Sequence, residues 1–221
     1  MFFAHFFNEL YIIVMEKFFT CSNIDSMPLC LPEAEIWSRL GRNRFLSRIT
    51  PAQELECKLL MHKAFAFCTP RGRWRLLEVK SQDPRMVTVE DNWCLESAAF
   101  AGFVNHAPFL WVGSVTIGGK LEEAVADSDN MTAAAVYDAV GSECADQAMD
   151  MLQKLSAQEL ARHNLIMSKQ RFSPGYGNLS LQVQKKIFEI LQLEELNMTL
   201  TASNIMQPEK SVTAFAAVNR I

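Results

Sequence analysis

The spacing of hydrophobic and polar residues in the middle of the chain predicts a sheet. Residues 74–80 and 86–89 have strand-like composition and flank the turn residues 81–84, so they predict two neighbouring strands. A longer apolar run covers residues 109–117 and ends at a pair of glycines, as is typical of a buried strand. We therefore expect a sheet with at least one strand inside the core.

Two stretches have helical character. Thr50 and Gln53 have the spacing of a capping box, with a proline between them at the first helical position, and predict a helix that runs to about His62. Apolar positions recur at helical spacing from Thr132 to about His163 and predict one long helix.

Gly141 lies inside the long helical pattern and lowers helix stability there. It indicates either the close approach of another segment or a break in the helix. In the second case, Ser156 could cap a second helical segment.

The last quarter of the chain predicts a further helix around residues 181–191 and closing strands at 198–201 and 211–218. Strands on both sides of a group of helices favour an α+β domain, with an antiparallel or mixed sheet and long helices.

The first fifteen residues are rich in phenylalanine, and Phe3, Leu10 and Val14 recur at helical spacing. They carry no Lys or Arg before Lys17, unlike the basic start of an export signal, so we interpret them as a short packed helix. Translation from Met15 is an equally good alternative, in which case residues 1–14 lie outside the protein.

Composition narrows the possible functions. The chain has 221 residues, of which 49% are hydrophobic, enough for a full core in one domain or two small ones. A net charge of -4 argues against non-specific binding to nucleic acid or anionic membranes. One local exception is Arg71, Arg73 and Arg75, which share a strand face opposite Trp74; we expect a solvated face, with docking of an acidic partner as the alternative.

Cysteines and histidines lack metal-site spacing. The six cysteines include no Cys-x-x-Cys pair, and the four histidines are isolated, so no zinc or iron–sulfur site is predicted. We interpret the cysteines as reduced thiols of a cytoplasmic protein.

A short loop before the last predicted helix carries the clearest binding chemistry. Arg171 offers a planar fork of donors that matches a carboxylate, and Tyr176 offers a flat apolar face with a polar tip. Pro174 and Gly175 allow a sharply shaped backbone. This combination suits a small zwitterion, although the residues alone favour a plain helix-to-helix turn in which Arg171 is solvated and Tyr176 packs.

This loop and two stretches that follow it resemble segments of a known family. They read Arg171-Phe172-Ser173-Pro174-Gly175-Tyr176-Gly177, Leu200-Thr201-Ala202-Ser203 and Met206-Gln207-Pro208-Glu209-Lys210-Ser211-Val212. Together they resemble the activation domain of cobalamin-dependent methionine synthase.

The resemblance covers most of the chain from about residue 32 and is most specific over residues 110–218. Residues 115–123 and the long helix after them are similar to the same domain, and residues 32–95 are similar to the leader of short, free-standing relatives. We therefore divide the chain into an extension at 1–31, an N-terminal α/β subregion at 32–108 and an activation core at 109–221.

The resemblance implies binding of S-adenosylmethionine (AdoMet) in the repair of an oxidised corrinoid. It implies that Arg171 contacts the ligand, that Ser173 and Gly175 contribute through the loop backbone, and that Tyr176 lines the pocket. Asp146 lies where longer relatives have an acidic residue near the ligand's ammonium; a solvated helix carboxylate is an equally good interpretation.

The same resemblance implies partners. No corrinoid-binding segment is recognisable, so cobalamin would be carried by a corrinoid-binding methionine synthase and reduced by a flavodoxin-like electron donor. This domain would supply the methyl group from AdoMet by positioning it, without a general base. No nucleic-acid or membrane partner is expected.

Two departures from the family keep other functions open. Ala202 replaces an acidic residue, and the chain ends at Ile221, before an aromatic stretch of the longer enzymes. Besides a reactivation partner, the chain could be a module that senses AdoMet without chemistry, or a reactivase for another corrinoid methyltransferase.

Overall fold

A computed structural model describes residues 16–42 and 49–221. The helix predicted within residues 1–15, and the alternative start at Met15, lie outside the described residues. No helix in the described part of the chain is long and apolar enough to cross a membrane.

Helices and strands are interleaved along the chain. The helices are α1 (Glu33–Arg39), α2 (Pro51–Phe65), α3 (Ala98–Val104), α4 (Lys120–Ala126), α5 (Met131–Ala161) and α6 (Val183–Leu191). The strands are β1 (Ser22–Ile24), β2 (Arg71–Gln82), β3 (Met86–Val89), β4 (Cys94–Glu96), β5 (Phe109–Thr116), β6 (Leu165–Met167), β7 (Thr199–Leu200), β8 (Met206–Gln207) and β9 (Ser211–Arg220).

Seven of these strands form one antiparallel sheet, in the order β4-β3-β2-β5-β9-β6, with β1 added to β2. Strand β5 lies inside this sheet and pairs along its whole length with β2 and with β9. All eight of its residues are buried, as its apolar run predicts. The α+β prediction is confirmed, and of its two alternatives the sheet is the antiparallel one.

The sheet is covered by helices on both faces. Trp74, Trp111 and Ala216 pack with α5 on one face. Their strand neighbours Leu110 and Phe215 pack with α3 and α6 on the other. The alternation of side chains along a strand produces this division. The result is three layers, with the sheet in the middle.

The long helix α5 is continuous, so the prediction of a break at Gly141 is wrong and its alternative, a close approach, is confirmed. A Cβ atom at Gly141 would lie 2.9 Å from Leu121 Cδ2 and 3.0 Å from Lys210 Cγ. The hydroxyl of Ser156 donates to the Leu152 carbonyl at 2.8 Å, within the helix. Ser156 therefore does not cap a second segment.

The capping box of α2 is confirmed. The hydroxyl of Thr50 accepts from the Gln53 amide at 3.2 Å, and the Gln53 side chain accepts from the Thr50 amide at 2.9 Å. The helix continues to Phe65, three residues beyond the predicted end.

The solvated arginine face predicted on β2 is wrong. Arg73 is only 7% exposed, and its Nη1 donates to the carbonyls of Leu191 and Gln192 at the end of α6. Arg71 likewise donates to the Leu196 carbonyl at 2.9 Å. The strand periodicity was sufficient to place the arginines on one face, but α6 and the segment after it cover that face.

Candidate functional site

The loop that begins at Arg171 is fixed to the edge of β9. The Ser168 amide donates to the Ala217 carbonyl at 2.8 Å, and Phe172 exchanges two backbone hydrogen bonds with Phe215, at 2.9 and 2.8 Å. Residues 169–171 bulge out between these attachments, opposite one residue of β9. A bulge of this kind re-aims side chains away from the sheet.

Phe172 anchors the loop in the core. Its ring lies 5.2 Å from the Phe100 ring and 5.4 Å from the Phe103 ring, both on α3. Side chains alternate in an extended segment, so Arg171 and Ser173 face away from this cluster. The hydrophobic contact of one residue therefore orients the polar side chains on either side of it.

Two glycines set the rest of the loop. Gly175 has φ +91, and its amide donates to the Leu179 carbonyl at 2.7 Å. Gly177 has φ +51, and a Cβ atom there would lie 2.6 Å from Ala99 Cβ. Both positions use left-handed backbone conformations that favour glycine. The backbone amide of Gly175 is thus engaged within the turn.

An open groove separates this loop from α5. Its volume is about 630 Å³, and its lining side chains come from the second half of α5 and from the loop: Asp150, Gln153, Lys169, Arg171, Phe172, Ser173 and Tyr176. Tyr176 is 72% exposed. The structure therefore brings together Arg171, Ser173 and Tyr176 among the predicted site residues.

Arg171 is held from the helix side of the groove. Its Nη1 donates to Gln153 Oε1 at 2.7 Å and lies 2.7 Å from Asp150 Oδ1. Gln153 is 8% exposed, whereas the Asp150 side chain is 69% exposed. The guanidinium thus has one buried neutral partner and one exposed anionic partner, and the groove combines positive and negative charge.

Asp146 lies on α5 one turn before Asp150, outside the set of side chains that line the groove. Its Oδ2 is 3.5 Å from Arg39 Nη2, so the cation that it contacts belongs to α1. Burial raises the pKa of the Asp146 carboxyl, nearby Glu143 raises it further, and Arg39 opposes both effects. The assignment of Asp146 to a ligand's ammonium stays a prediction.

Asp150 and Gln153 are groove residues that the sequence interpretation missed. They follow Asp146 at helical spacing and so share its face of α5. This helical spacing could have indicated both residues, but it does not show which residue of this helix face lies opposite Arg171. The choice depends on where residues 169–171 bulge towards the helix.

Ala202, where an acid was expected from the resemblance, is exposed in the turn between β7 and β8. It is not one of the described side chains that line the groove. The hydroxyls of its neighbours Thr201 and Ser203 lie 3.0 Å apart and bond to each other.

Comparison with known proteins gives a match among solved structures but none among family models or curated proteins. No family model matches the chain, and no curated protein matches it. Among solved structures, the crystal structure of the MetH reactivation domain bound to AdoHcy matches it, and the matched region covers 89% of this chain and 78% of that chain. The TM-score is 0.60 and the sequence identity is 16%. At this identity the match establishes the fold, and it confirms the fold that the sequence resemblance implied.

Proposed function

We propose that this protein binds AdoMet in the groove between α5 and the loop at Arg171, and presents its methyl group to a cobalamin carried by a corrinoid-binding methionine synthase. The observation that carries the proposal is the Arg171 loop, anchored beside acidic and polar residues of α5. A domain of the same fold has been solved with AdoHcy, the demethylated form of AdoMet. The groove volume of about 630 Å³ also falls in the usual range for small-molecule sites.

The groove residues match the chemistry of an amino acid attached to a nucleoside. Arg171 can bind a carboxylate with two parallel hydrogen bonds. Asp150 is an exposed anion next to it and would accept from the ligand's ammonium. The exposed ring of Tyr176 offers an apolar face at the same groove, and Ser173 offers backbone and hydroxyl groups.

The role of this chain in methyl transfer is positioning. The corrinoid supplies the nucleophile that accepts the methyl group, so the groove has no proton to abstract. The anchored loop would hold the amino-acid end of AdoMet and leave its methyl group facing the partner. A flavodoxin-like protein would supply the electron, and we place the reaction in the cytoplasm, where the six free cysteines would stay reduced.

Calorimetric titration with AdoMet tests the binding site. We expect Arg171→Ala to weaken binding about ten- to a hundred-fold, because charge-assisted hydrogen bonds contribute about 1.5–3 kcal/mol. Arg162→Ala, at an exposed position just after α5, is the matched control and should bind as the wild type does. Equal affinity in the Arg171 and Arg162 variants would show that Arg171 is not a ligand contact.

A reconstitution assay tests the reaction. The protein is mixed with AdoMet, a reductant and a methionine synthase that carries oxidised cobalamin and lacks its own activation domain, and the absorbance spectrum of the corrinoid is followed. We expect faster remethylation with the protein than without it, and slower recovery with Tyr176→Ala. AdoMet binding without remethylation would favour a sensor. Remethylation of a different corrinoid methyltransferase alone would favour a reactivase for that other enzyme.

A further inference from the structure

We propose that Gln153 is a positioning residue: it fixes the Arg171 guanidinium so that Arg171 selects ligands with a carboxylate. The inference rests on the proposed AdoMet site and assigns a role to a residue that the proposed function does not use. The side-chain amide of Gln153 forms its hydrogen bonds on both sides in only one of its two orientations.

The nitrogen side of the amide is committed to the backbone. Gln153 Nε2 donates to the Ser168 carbonyl at 2.8 Å and to the Lys169 carbonyl at 3.4 Å. A flipped amide would place its oxygen against these carbonyls and its donors against the donors of Arg171. The hydrogen bonds to the backbone carbonyls and to Arg171 would both be lost, so Oε1 has to face the groove.

The oxygen side then fixes the arginine. Gln153 Oε1 accepts from Arg171 Nη1 at 2.7 Å. Gln153 is 8% exposed and carries no charge, so it holds the guanidinium without neutralising it. Its other hydrogen bonds are to Ser168 and Lys169, where the bulge that carries Arg171 begins, so the amide ties the start of the bulge and the guanidinium together as one unit.

Asp150 is held to Arg171 less firmly than Gln153 is, as expected of a partner that a ligand can displace. Its Oδ1 is also 2.7 Å from Nη1, but its side chain is 69% exposed, and exposed ion pairs are weak because water competes for both charges. A ligand carboxylate can therefore replace Asp150 at Arg171 while Gln153 stays bound. The displaced Asp150 is then free to accept from the ligand's ammonium.

This division of roles predicts selectivity for the carboxylate end of the ligand. The matched probes are AdoMet and decarboxylated AdoMet, which differ only by that carboxylate. Gln153→Met keeps the length of the side chain and removes both the acceptor and the donor. We expect it to weaken AdoMet binding about tenfold and to change the binding of decarboxylated AdoMet by less than about twofold.

Gln153→Glu provides a second test that retains an oxygen near Arg171. A carboxylate there would neutralise the guanidinium and repel the ligand's carboxylate, so we expect AdoMet to bind at least as weakly as it does to Gln153→Met. Gln158→Met, at an exposed position on the same helix, is the control substitution and should match the wild type for both ligands.

The outcomes separate this inference from the proposed function. Wild-type protein that does not bind AdoMet overturns both. If the wild type binds and Arg171→Ala weakens binding, but both Gln153 variants bind the two ligands as the wild type does, only the role of Gln153 is wrong. A loss of affinity that is equal for AdoMet and its decarboxylated form also overturns it, since a purely structural role would not depend on the carboxylate.

Discussion

Replacement of Arg73 by methionine should destabilise the protein far more than the loss of an exposed charged residue from the same strand would. Methionine keeps the apolar stem of the side chain and removes the guanidinium. In the native protein, Arg73 Nη1 lies 3.2 Å from the Leu191 carbonyl and 2.9 Å from the Gln192 carbonyl, and Nη2 lies 2.5 Å from Glu195 Oε2. The two carbonyls are at the C-terminal end of α6, where a helix attracts positive charge.

The expected loss follows from the burial of these groups. Hydrogen bonds from a charged donor contribute about 1.5–3 kcal/mol, and a cation at a helix C-terminus about 0.3–1 kcal/mol. Glu195 is 62% exposed, so its ion pair adds little. We expect the free energy of unfolding to fall by about 2–4 kcal/mol, which lowers the melting temperature by roughly 5–15 °C in a chain of this size.

Thermal melts followed by circular dichroism measure this loss. Lys80→Met is the control, since Lys80 is on the same strand, is 53% exposed and pairs with Glu78 at 2.6 Å. We expect it to cost less than about 0.5 kcal/mol, as surface ion pairs do. If Arg73→Met melts within a degree or two of Lys80→Met, then Arg73 does not hold α6 on the sheet and the argument from burial is wrong.

Two further substitutions test the glycine turn of the loop and the carboxyl of Asp146 on α5. Gly177→Ala places a Cβ 2.6 Å from Ala99 Cβ and 2.8 Å from Phe172 Cζ, so we expect a loss of about 1–3 kcal/mol in denaturant unfolding and weaker AdoMet binding. Gly102→Ala, with nothing within 4 Å, is its control. Burial raises the pKa of Asp146, and the stability linked to this shift is present below the unfolded pKa and lost as pH rises through the folded pKa. Because the Asp146 side chain is 60% exposed, we expect Asp146→Asn to raise the melting temperature only slightly at pH 7 and not near pH 3.5, and a lower melting temperature at pH 7 would contradict this.

The elements that the sequence predicted well are those whose signals are local. The apolar run of β5 reports burial directly, and the capping box of α2 is complete within four residues. Short elements such as β6 and α3 gave no comparable signal, because three- and seven-residue segments are stabilised by the neighbours on which they pack. The arginine face of β2 was misjudged for the same reason, since nothing near Arg73 in the sequence shows that α6 lies over it.

The candidate site shows the same limit. The loop chemistry of Arg171 and Tyr176 was visible in the sequence, because the charge, the turn residues and the aromatic lie within six residues. Asp150 and Gln153 are 21 and 18 residues away along the chain and reach the groove only through the packing of α5. Periodicity placed them on one helix face, but not opposite a particular loop.

Strand β9 explains how these distant residues meet. Its edge carries the backbone bonds to Ser168 and Phe172 that hold the bulge with Arg171. On one face of the sheet, its small side chains Ala214 and Ala216 pack in one cluster with Leu152 and other residues of α5. Both walls of the groove are therefore attached to a single strand, and small residues let the helix approach that strand closely. The separation between Arg171 and its partners on α5 is consequently set by the packing of α5 against β9 in the core.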